Sequence, residues 1–232
     1  MINRSCQIMS KFFCSVILMM FVVGCVPLET KQAAFPDMYT DARPTSILIL
    51  PAINKSTASD AASYITATLT QPFADAGYYV FPTLLTTDIF NNEGILDGRQ
   101  ALEIPKPVFK KSFGADSVLF VTINKWDKNY AILAANVTVA MSYVLISTTT
   151  EEVLWSYDQE VVIDTGGDSS AGLLGAIIAT AINTAVQDYI PIAQKVNNAA
   201  VATMPVGIYH PSVGQDGEVA GVSSEAKNKA LQ

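Results

Sequence analysis

The sequence predicts an α/β domain in which a mixed sheet of about five strands has helices packed on it. One observation is a strand-helix-strand pattern over residues 47–82, which favours parallel pairing because a right-handed crossover joins the two strands. Another is a two-residue alternation of side chains over residues 136–147, which is typical of a half-exposed strand. Together these patterns predict parallel and antiparallel strands in the same sheet.

Residues 1–24 have the parts of a lipoprotein signal peptide. Arg4 and Lys11 supply positive charge before an apolar run at residues 12–23, which is too short to cross a bilayer core of about 30 Å. A glycine then precedes Cys25, as in a lipobox, where the cysteine receives a diacylglyceryl group and the preceding peptide is removed. We therefore expect the mature chain to start at a lipidated Cys25. An ordinary secretory signal or an uncleaved anchor, with an incidental cysteine, is the alternative.

The residues after Cys25 indicate where the chain is anchored. In enterobacterial lipoproteins an Asp after the lipidated cysteine favours the inner membrane, and Val26 stands here instead, which points to the outer membrane. Two or three acyl chains anchor a protein stably, whereas one chain binds only marginally. Residues 25–44 are polar and broken by prolines, which predicts a lipidated tether. We expect the domain behind it in the periplasm, and a surface-facing orientation stays open.

The strand-helix-strand pattern begins with the apolar residues 47–50, which fit a buried strand. A helix follows and ends near Gly77. Its candidate N-caps are Ser56, Thr57 and Ser59, and its apolar face holds Ile65, Leu69 and Phe73. Pro72 removes a backbone donor from this helix, so a kink or a separate last turn is expected. Residues 78–81, which precede Pro82, predict the second strand of the pattern.

The next segment predicts three short helices and a third strand. The helices cover residues 83–91, 99–104 and 106–113, and Gly114 ends the last of them. Residues 117–123 are almost continuously apolar, which predicts a strand buried on both faces.

A β-hairpin is predicted by residues 136–147 and 152–163. Val137, Val139, Met141, Tyr143 and Leu145 alternate with other side chains along the first strand. Residues 148–151 can make the turn, and Trp155 and Tyr157 share one face of the second strand.

The C-terminal part predicts two further helices and a tail. Ser169 or Ser170 can cap a helix over residues 171–189, and a last helix is expected at residues 192–202. Residues 214–232 are poor in large apolar side chains, and the tail at residues 213–232 is expected to be disordered. The predicted single periplasmic domain therefore spans residues 45–212.

Composition and charge exclude several classes of function. The chain has 14 Lys and Arg against 21 Asp and Glu, and loss of the signal peptide leaves 12 against 21, a net charge of −9. Nucleic-acid-binding proteins instead carry Lys and Arg that neutralise phosphates, so no nucleic-acid partner is expected. Cys6 and Cys14 leave with the signal peptide and Cys25 is acylated. Neither a disulfide nor a thiolate metal site is therefore expected.

The sequence offers no group of residues that favours catalysis. His210 is the only histidine, and its place in a chain-terminal loop favours a packing role over a Ser-His-acid triad. Gly167 and Gly172 have the spacing of a phosphate-binding loop, but leucines stand where Lys and Ser or Thr hold the phosphates. We therefore expect a protein that is not an enzyme and that has no cofactor and no metal.

Two apolar groups are the candidate contacts for a partner or for a second copy of the chain. The first is a stripe on the helix predicted at residues 171–189. Its members are Leu173, Leu174, Ile177, Ile178 and Ile182. The second group is the aromatic pair Tyr78 and Tyr79. The stripe can pack inside the domain or join two protomers into a homodimer, because a helix that is apolar all round is normally buried.

Four segments, together with the lipobox, resemble one family of bacterial lipoproteins. They are residues 47–54, 76–82, 114–123 and 205–211, and their most specific parts are the sequences AGYYVFP and GIYHP. The family includes a neisserial surface-lipoprotein antigen found by genome mining. Its members resemble the N-terminal domain of TolB and the periplasmic part of CsgG-type secretion lipoproteins. The resemblance implies a TolB-like α/β fold.

The same resemblance implies a protein-binding component of an envelope transport or assembly complex. Its expected partners are CsgG-like lipoproteins, because members are typically encoded beside one. Two alternatives stay open. A lipoprotein that activates a peptidoglycan synthase would need a tether longer than residues 26–44, which reach about 60–70 Å when fully extended. A hydrolase or a small-ligand carrier would need a deep pocket around His210, Asp168 and Ser169.

Overall fold

One mixed sheet organises the computed structural model, which describes residues 29–41, 43–131, 134–164, 189–222 and 224–229. Its strands are β1 (Ser46–Ile49), β2 (Ile53–Asn54), β3 (Tyr79–Val80), β4 (Ser117–Ala131), β5 (Ala134–Ser147) and β6 (Val153–Asp164). They follow the order β3–β1–β4–β5–β6, and β2 pairs with β4 beyond the end of β1. The predicted fold class is confirmed, and β2 is the strand that raises the predicted five to six.

Seven α-helices and one 3-10 turn surround the sheet within the described residues. The helices are α1 (Lys31–Ala34), α2 (Ala61–Asp75), α3 (Thr83–Asn92), α4 (Gly98–Leu102), α5 (Lys106–Phe113), α6 (Ile190–Ala202) and α7 (Ser224–Lys229), and the turn is Pro36–Tyr39. None of these helices has both the length and the apolar character that a membrane crossing requires. The helix predicted at residues 171–189 lies outside the described residues.

The parallel half of the sheet is the predicted strand-helix-strand unit. Strand β1 pairs in parallel with β3 and with β4, and α2 connects β2 to β3 on one face of the sheet. Ile65, Leu69 and Phe73 of α2 are fully buried against the sheet, as predicted. Burial of each such side chain contributes about 1.5–3 kcal/mol to folding.

Helix α2 differs from the prediction at both ends. It begins after Asp60 rather than at the hydroxyl residues, and the Ser56 hydroxyl instead donates to Asn54 Oδ1 at 2.7 Å. The helix runs through Pro72 to Asp75 without a break. A proline so close to the end of a helix removes one backbone hydrogen bond of the last turns, which α2 tolerates.

The antiparallel half of the sheet contains the predicted hairpin and a longer strand than predicted. Strands β5 and β6 pair as expected, from Asn136↔Asp164 to Ile146↔Val153. Strand β4 does not stop at Ile123 but continues to Ala131 along β5. The register shifts between Ile123 and Lys125, and this bulge resets the alternation of faces, which hides the continuation in the sequence.

Hydrophobic side chains cover both faces of the parallel strands. The larger cluster lies between the sheet, α2 and α6, and includes Trp126, Tyr143 and Trp155. A smaller cluster on the other face joins Leu48 and Phe120 of the sheet to side chains of α3, α4 and α5. The two clusters make the central strands nearly continuous runs of buried residues.

The first and the last described segments pack on the domain, in contrast to the predicted tether and disordered tail. Phe35 and Met38 are buried in the larger cluster, although both belong to the predicted tether at residues 25–44. In the predicted tail, Val222 is buried, Ala220 forms a β-bridge with Thr30, and α7 lies against β6. The two segments stabilise each other, which their individual composition does not reveal. The predicted signal peptide at residues 1–24 and Cys25 lie outside the described residues.

Candidate functional site

An open groove of about 420 Å³ lies at the carboxyl end of β1, between α2 and α3. This edge of parallel strands is a common place for binding sites in α/β proteins. The groove is lined by Pro51, Ala52, Ala62, Ser63, Thr66, Ala67, Thr83, Leu84, Thr87 and Leu96. The lining therefore offers alkyl groups and hydroxyl groups to a ligand or partner.

Short side chains on α2 and a close backbone contact shape the groove. The α2 side of the groove is lined by the short side chains of Ala62, Ser63 and Ala67, so it is shallow on this side. On the far side, a Cβ added to Gly98 would lie 2.2 Å from the carbonyl oxygen of Pro51. Only glycine permits this approach, which brings the segment containing Leu96 against the end of β1.

The loop that carries Leu96 is fixed by the start of α4. The Asp97 carboxylate accepts a hydrogen bond from Arg99 N, and Gln100 Oε1 accepts bonds from Leu96 N and Asp97 N at 2.8 and 3.0 Å. This capping box satisfies backbone donors that the first helical turn leaves free. Leu96 is thus presented by an ordered turn.

The rim of the groove exposes large apolar side chains. Leu84 is 76% exposed and Leu96 is 71% exposed, and both line the groove. Leu85 and Ile89 are also exposed on α3, whose buried side carries Thr86 and Phe90. Single exposed leucines are common on protein surfaces, but a group of them at a concave site is typical of an interaction surface.

Exposed acidic residues lie within three positions of groove-lining residues along the chain. Asp60 precedes α2, Asp88 lies on α3 and Glu93 follows α3, and all three are exposed. The neighbouring guanidinium of Arg99 is paired with Asp97 at 3.1 Å. Lys55 is the exposed basic residue on the short segment between β2 and α2. The surroundings of the groove therefore favour a partner with positive charge next to apolar groups.

A second site, which is polar and buried, joins the first described residues of the chain to its C-terminal segment. We name it the terminal clasp and define it by Lys31, Tyr39 and Asp216. The Lys31 ammonium donates to the carbonyl of Met204 at 2.8 Å and lies 3.6 Å from Asp216 Oδ2. The Tyr39 hydroxyl donates to Asp216 Oδ1 at 3.1 Å, and Val206 N donates to Asp216 Oδ2 at 2.9 Å.

Burial sets the electrostatics of the terminal clasp. Desolvation lowers the pKa of the Lys31 ammonium below its ordinary value, and the Asp216 carboxylate opposes this shift. Desolvation, followed by the charge of Asp216, raises the pKa of the Tyr39 hydroxyl above its ordinary value. Removal of one member of this buried ion pair would leave the other charge uncompensated, which is strongly unfavourable.

The two tyrosines predicted as a contact for a partner differ in their exposure to solvent. Tyr78 is buried, and its hydroxyl donates to the carbonyl of Pro205 at 2.6 Å, so it holds the C-terminal segment inside the domain. Tyr79 is 51% exposed on β3, at the edge of the sheet, and its ring contacts Phe81 edge-on. Of the pair, only Tyr79 is available to a partner.

The other predicted candidates either have packing roles or lie outside the described residues. His210 is half-buried, its Nδ1 accepts a hydrogen bond from Ser212 N at 3.1 Å, and its backbone packs on Gly77. Among the described residues, no group of three or more His, Cys, Asp or Glu could hold a metal ion. The remaining candidates fall outside the described residues: Cys25, Asp168, Ser169, Leu173, Leu174, Ile177, Ile178 and Ile182.

Sequence reasoning missed Leu84, Leu96 and both charged members of the terminal clasp. The adjacent pair Leu84 and Leu85 on a helix with few other large apolar side chains is the signal that could have indicated an exposed apolar face. For Lys31 and Asp216 no local signal exists, because each stands alone in a polar segment.

Comparisons with known proteins give one curated relative and several structural neighbours. The curated "Putative lipoprotein NMB1124/NMB1162" of Neisseria meningitidis serogroup B is 28% identical over 145 residues, which are 62% of this chain and 67% of the relative. The crystal structure of lipoprotein GNA1162 from Neisseria meningitidis superposes with a TM-score of 0.52 at 28% identity, over 60% of this chain and 96% of that one. The C-terminal domain of LpoB from Escherichia coli is a more distant neighbour, with a TM-score of 0.37 at 18% identity, over 57% of this chain and 95% of that one.

The family profile described as "Putative lipoprotein GNA1162-like" matches residues 37–207. This stretch contains the whole parallel half of the sheet, the β-hairpin and three of the four segments that carried the resemblance, and it ends within the fourth, at residues 205–211. A lipoprotein family implies a membrane-anchored protein of the cell envelope. The chain belongs to the GNA1162-like lipoprotein family.

Proposed function

We propose that this protein is an outer-membrane lipoprotein that acts by binding another envelope protein through the groove between α2 and α3. The observation that carries the proposal is the exposure of Leu84 and Leu96 at the mouth of the groove. Water contact with these side chains is unfavourable, and covering them would contribute about 25 cal/mol for each Å² of apolar surface buried.

Anchoring follows from Cys25 and its context. The cysteine closes a short apolar run after a positively charged start, and membership of a lipoprotein family agrees with acylation at this position. Val26 follows the cysteine and supports the outer membrane over the inner one. Acyl chains on Cys25 hold the protein at the bilayer, and the described domain acts from there.

The occupant of the groove is an apolar segment of a partner protein that also carries basic residues. The groove offers alkyl contacts along its length, so the occupant needs apolar side chains. Exposed Asp60, Asp88 and Glu93 lie close to lining residues along the chain, so Lys or Arg at the ends of the occupant would add favourable charge pairs. These charges act mainly on the rate of association and on specificity, whereas apolar burial supplies the affinity.

The partner that best fits this proposal is another envelope lipoprotein, of the CsgG-like type, in a transport or assembly complex. The support is the sequence resemblance to a family whose members are typically encoded beside such a lipoprotein. The lining contains hydroxyl and alkyl groups without a nucleophile-base pair, which supports a binding role over a catalytic one.

A photo-crosslinking experiment in growing cells tests the proposal. A photoreactive amino acid replaces Leu84 in one strain and Leu102 in another, because Leu102 is also exposed but does not line the groove. We expect one envelope protein to crosslink from position 84 and not from position 102. The purified partner should then bind Leu84→Asp at least tenfold more weakly than the native chain, while Leu102→Asp binds normally.

Two outcomes would contradict the proposal. Crosslinks from position 84 that do not exceed those from position 102 would exclude the groove as a docking site. Equal affinity of the purified partner for Leu84→Asp and for the native chain would exclude it as well.

A further inference from the structure

The first described residues of the chain are paired with its C-terminal segment. Glu29 N donates to the carbonyl of Val222 at 3.0 Å, and Gly221 N donates to the carbonyl of Glu29 at 2.9 Å. Thr30 forms an antiparallel bridge with Ala220. The N-terminal segment thus becomes part of the folded domain at Glu29.

Helix α1 and the turn after it are held on several sides. The terminal clasp fixes Lys31 and Tyr39 to Asp216. Phe35 is buried, and the ammonium of Lys227 in α7 lies 5.2 Å from the centre of its ring and donates to the carbonyl of Ala34. Detachment of this segment would expose apolar surface and break a buried ion pair, so the segment stays on the domain.

The length of chain between Cys25 and this attachment point is short. Cys25 lies four positions before Glu29, and four residues span at most about 14 Å. The interfacial layer of a bilayer is itself several Å thick, since the whole bilayer measures about 40–45 Å and its hydrocarbon core about 30 Å. Acylation of Cys25 would therefore hold the Glu29 end of the domain at the membrane surface.

The loop around Asp216, residues 207–220, exposes apolar side chains at this end of the domain. Tyr209 is 65% exposed and Val219 is 51% exposed, and Ile208 and Val213 are exposed as well. Lys31 N donates to the carbonyl of Val219 at 2.9 Å, so this side chain lies beside the attachment point. Tyr is enriched at membrane interfaces because its ring is apolar and its hydroxyl is polar.

We infer that the loop at residues 207–220 rests in the interface of the same bilayer that holds the acyl chains of Cys25. This inference rests on the proposed lipidation of Cys25. Glu29 and Glu218 accompany the loop, so the contact depends on apolar insertion and not on attraction to anionic headgroups. The lipid anchor and the loop together give the domain a fixed orientation.

That orientation directs the groove away from the membrane. The loop meets the sheet at the amino ends of the parallel strands, because Tyr209 N donates to the carbonyl of Gly77 just before β3. The groove lies at the opposite end, where Pro51 follows β1. Helix α2 runs between these ends, and its 15 residues rise about 22 Å.

The long antiparallel strands extend beyond the end of the sheet at which the groove lies. The pairing of β4 with β2 ends at Ile123, and β4 continues for eight more residues to Ala131. These eight residues add a length of about 26 Å. The surface offered to partners therefore lies well above the bilayer even though the anchor is short. A flexible tether that crosses the periplasm is not needed for such contacts.

Depth-dependent quenching of a fluorescent label tests the inference. The mature chain has no thiol other than Cys25, so Val219→Cys and Leu84→Cys each supply one reactive site in the lipidated protein. Both proteins carry an NBD label and are reconstituted into vesicles of phosphatidylethanolamine and phosphatidylglycerol, with and without doxyl-labelled lipid. We expect doxyl lipid to reduce the emission at position 219 at least twofold and to leave the emission at position 84 unchanged.

The outcomes separate the anchor from the orientation. Floating vesicles with equal emission losses at positions 219 and 84 would overturn the orientation and leave the lipid anchor intact. Protein that does not float with the vesicles, and that lacks the acyl mass on Cys25, would overturn the anchor and this inference together.

Discussion

The hydroxyl of Tyr143 donates to Asn197 Oδ1 at 2.8 Å and joins the middle of β5 to α6. Both residues are fully buried. The amide of Asn197 donates to the Thr68 hydroxyl at 2.8 Å, which extends the connection to α2. Gln159 of β6 donates to the carbonyl of Val196 at 2.9 Å beside them. A polar network thus positions the two long helices on the sheet.

Replacement of Asn197 by alanine should lower the stability of the domain. The change leaves the buried Tyr143 hydroxyl without its acceptor, at a cost of about 1–3 kcal/mol. It also removes the hydrogen bond to the Thr68 hydroxyl, worth about 1 kcal/mol, although this hydroxyl still donates to the carbonyl of Tyr64. We expect the free energy of unfolding in urea to fall by about 2–4 kcal/mol. The matched control is Asn198→Ala, on the same helix but exposed, which should change it by less than about 0.5 kcal/mol.

A second prediction concerns the terminal clasp. Asp216→Ala leaves the buried ammonium of Lys31 without its carboxylate and frees Val206 N and the Tyr39 hydroxyl. Loss of one partner of a buried ion pair costs about 3–5 kcal/mol. Part of this cost can be avoided by detachment of the N-terminal segment, so limited proteolysis should cut within residues 29–41 at least tenfold faster. Glu218→Ala, at an exposed acid of the same loop, should leave the cutting rate unchanged.

The strand-helix-strand unit and the β5–β6 hairpin could be predicted because local periodicity encodes them. Ile65, Leu69 and Phe73 repeat at helical spacing, and the alternation along β5 has a period of two. The continuation of β4 could not be predicted, since the bulge after Ile123 places polar residues where an inward position would otherwise fall.

The candidate site was largely hidden from sequence reasoning for a different reason. Whether Leu84 is buried or exposed depends on which face of α3 packs on the domain. Thr86 and Phe90 lie on the buried face, which leaves Leu84 exposed. The pairing of Lys31 with Asp216 joins segments from opposite ends of the chain, and neither segment carries a periodic pattern. Cys25 stays a prediction, which depends on a local motif and not on any tertiary contact.

A pH-dependent contribution to stability is expected from Asp116. Burial opposes ionisation of its carboxyl, but hydrogen bonds from Lys110 and Ser46 outweigh it and hold the pKa of Asp116 below its ordinary value. The folded state therefore favours the carboxylate, and this contribution is present above about pH 4 and is lost as pH falls through the lowered pKa.

Urea unfolding of the native chain and of Asp116→Asn at pH 7 and at pH 3 measures this contribution. The native chain should be the more stable protein at pH 7, and the difference should shrink at pH 3. Asp127→Asn, at an exposed position of β4, is the control and should show no such change. A difference between the native chain and Asp116→Asn that is as large at pH 3 as at pH 7 would contradict the role of this carboxylate.

The last prediction concerns the contact between the C-terminal loop and Gly77. This residue has φ +87°, and a Cβ added to it would lie 2.4 Å from the backbone nitrogen of His210. Gly77→Ala should therefore suffer backbone strain of about 1–2 kcal/mol and a clash of about 1–3 kcal/mol. The free energy of unfolding should fall by about the sum of these costs, and the loop that carries Tyr209 should loosen.

Gly94→Ala separates the two effects. Gly94 has φ +78°, close to the value at Gly77, but nothing lies within 4 Å of the position that a Cβ would occupy. This variant should show the backbone strain of about 1–2 kcal/mol alone. Hydrogen exchange of the Tyr209 amide, which donates to the carbonyl of Gly77, should accelerate in Gly77→Ala and not in Gly94→Ala. If both variants lost the same stability and protected this amide equally, the contact between Gly77 and His210 would not hold the loop in place.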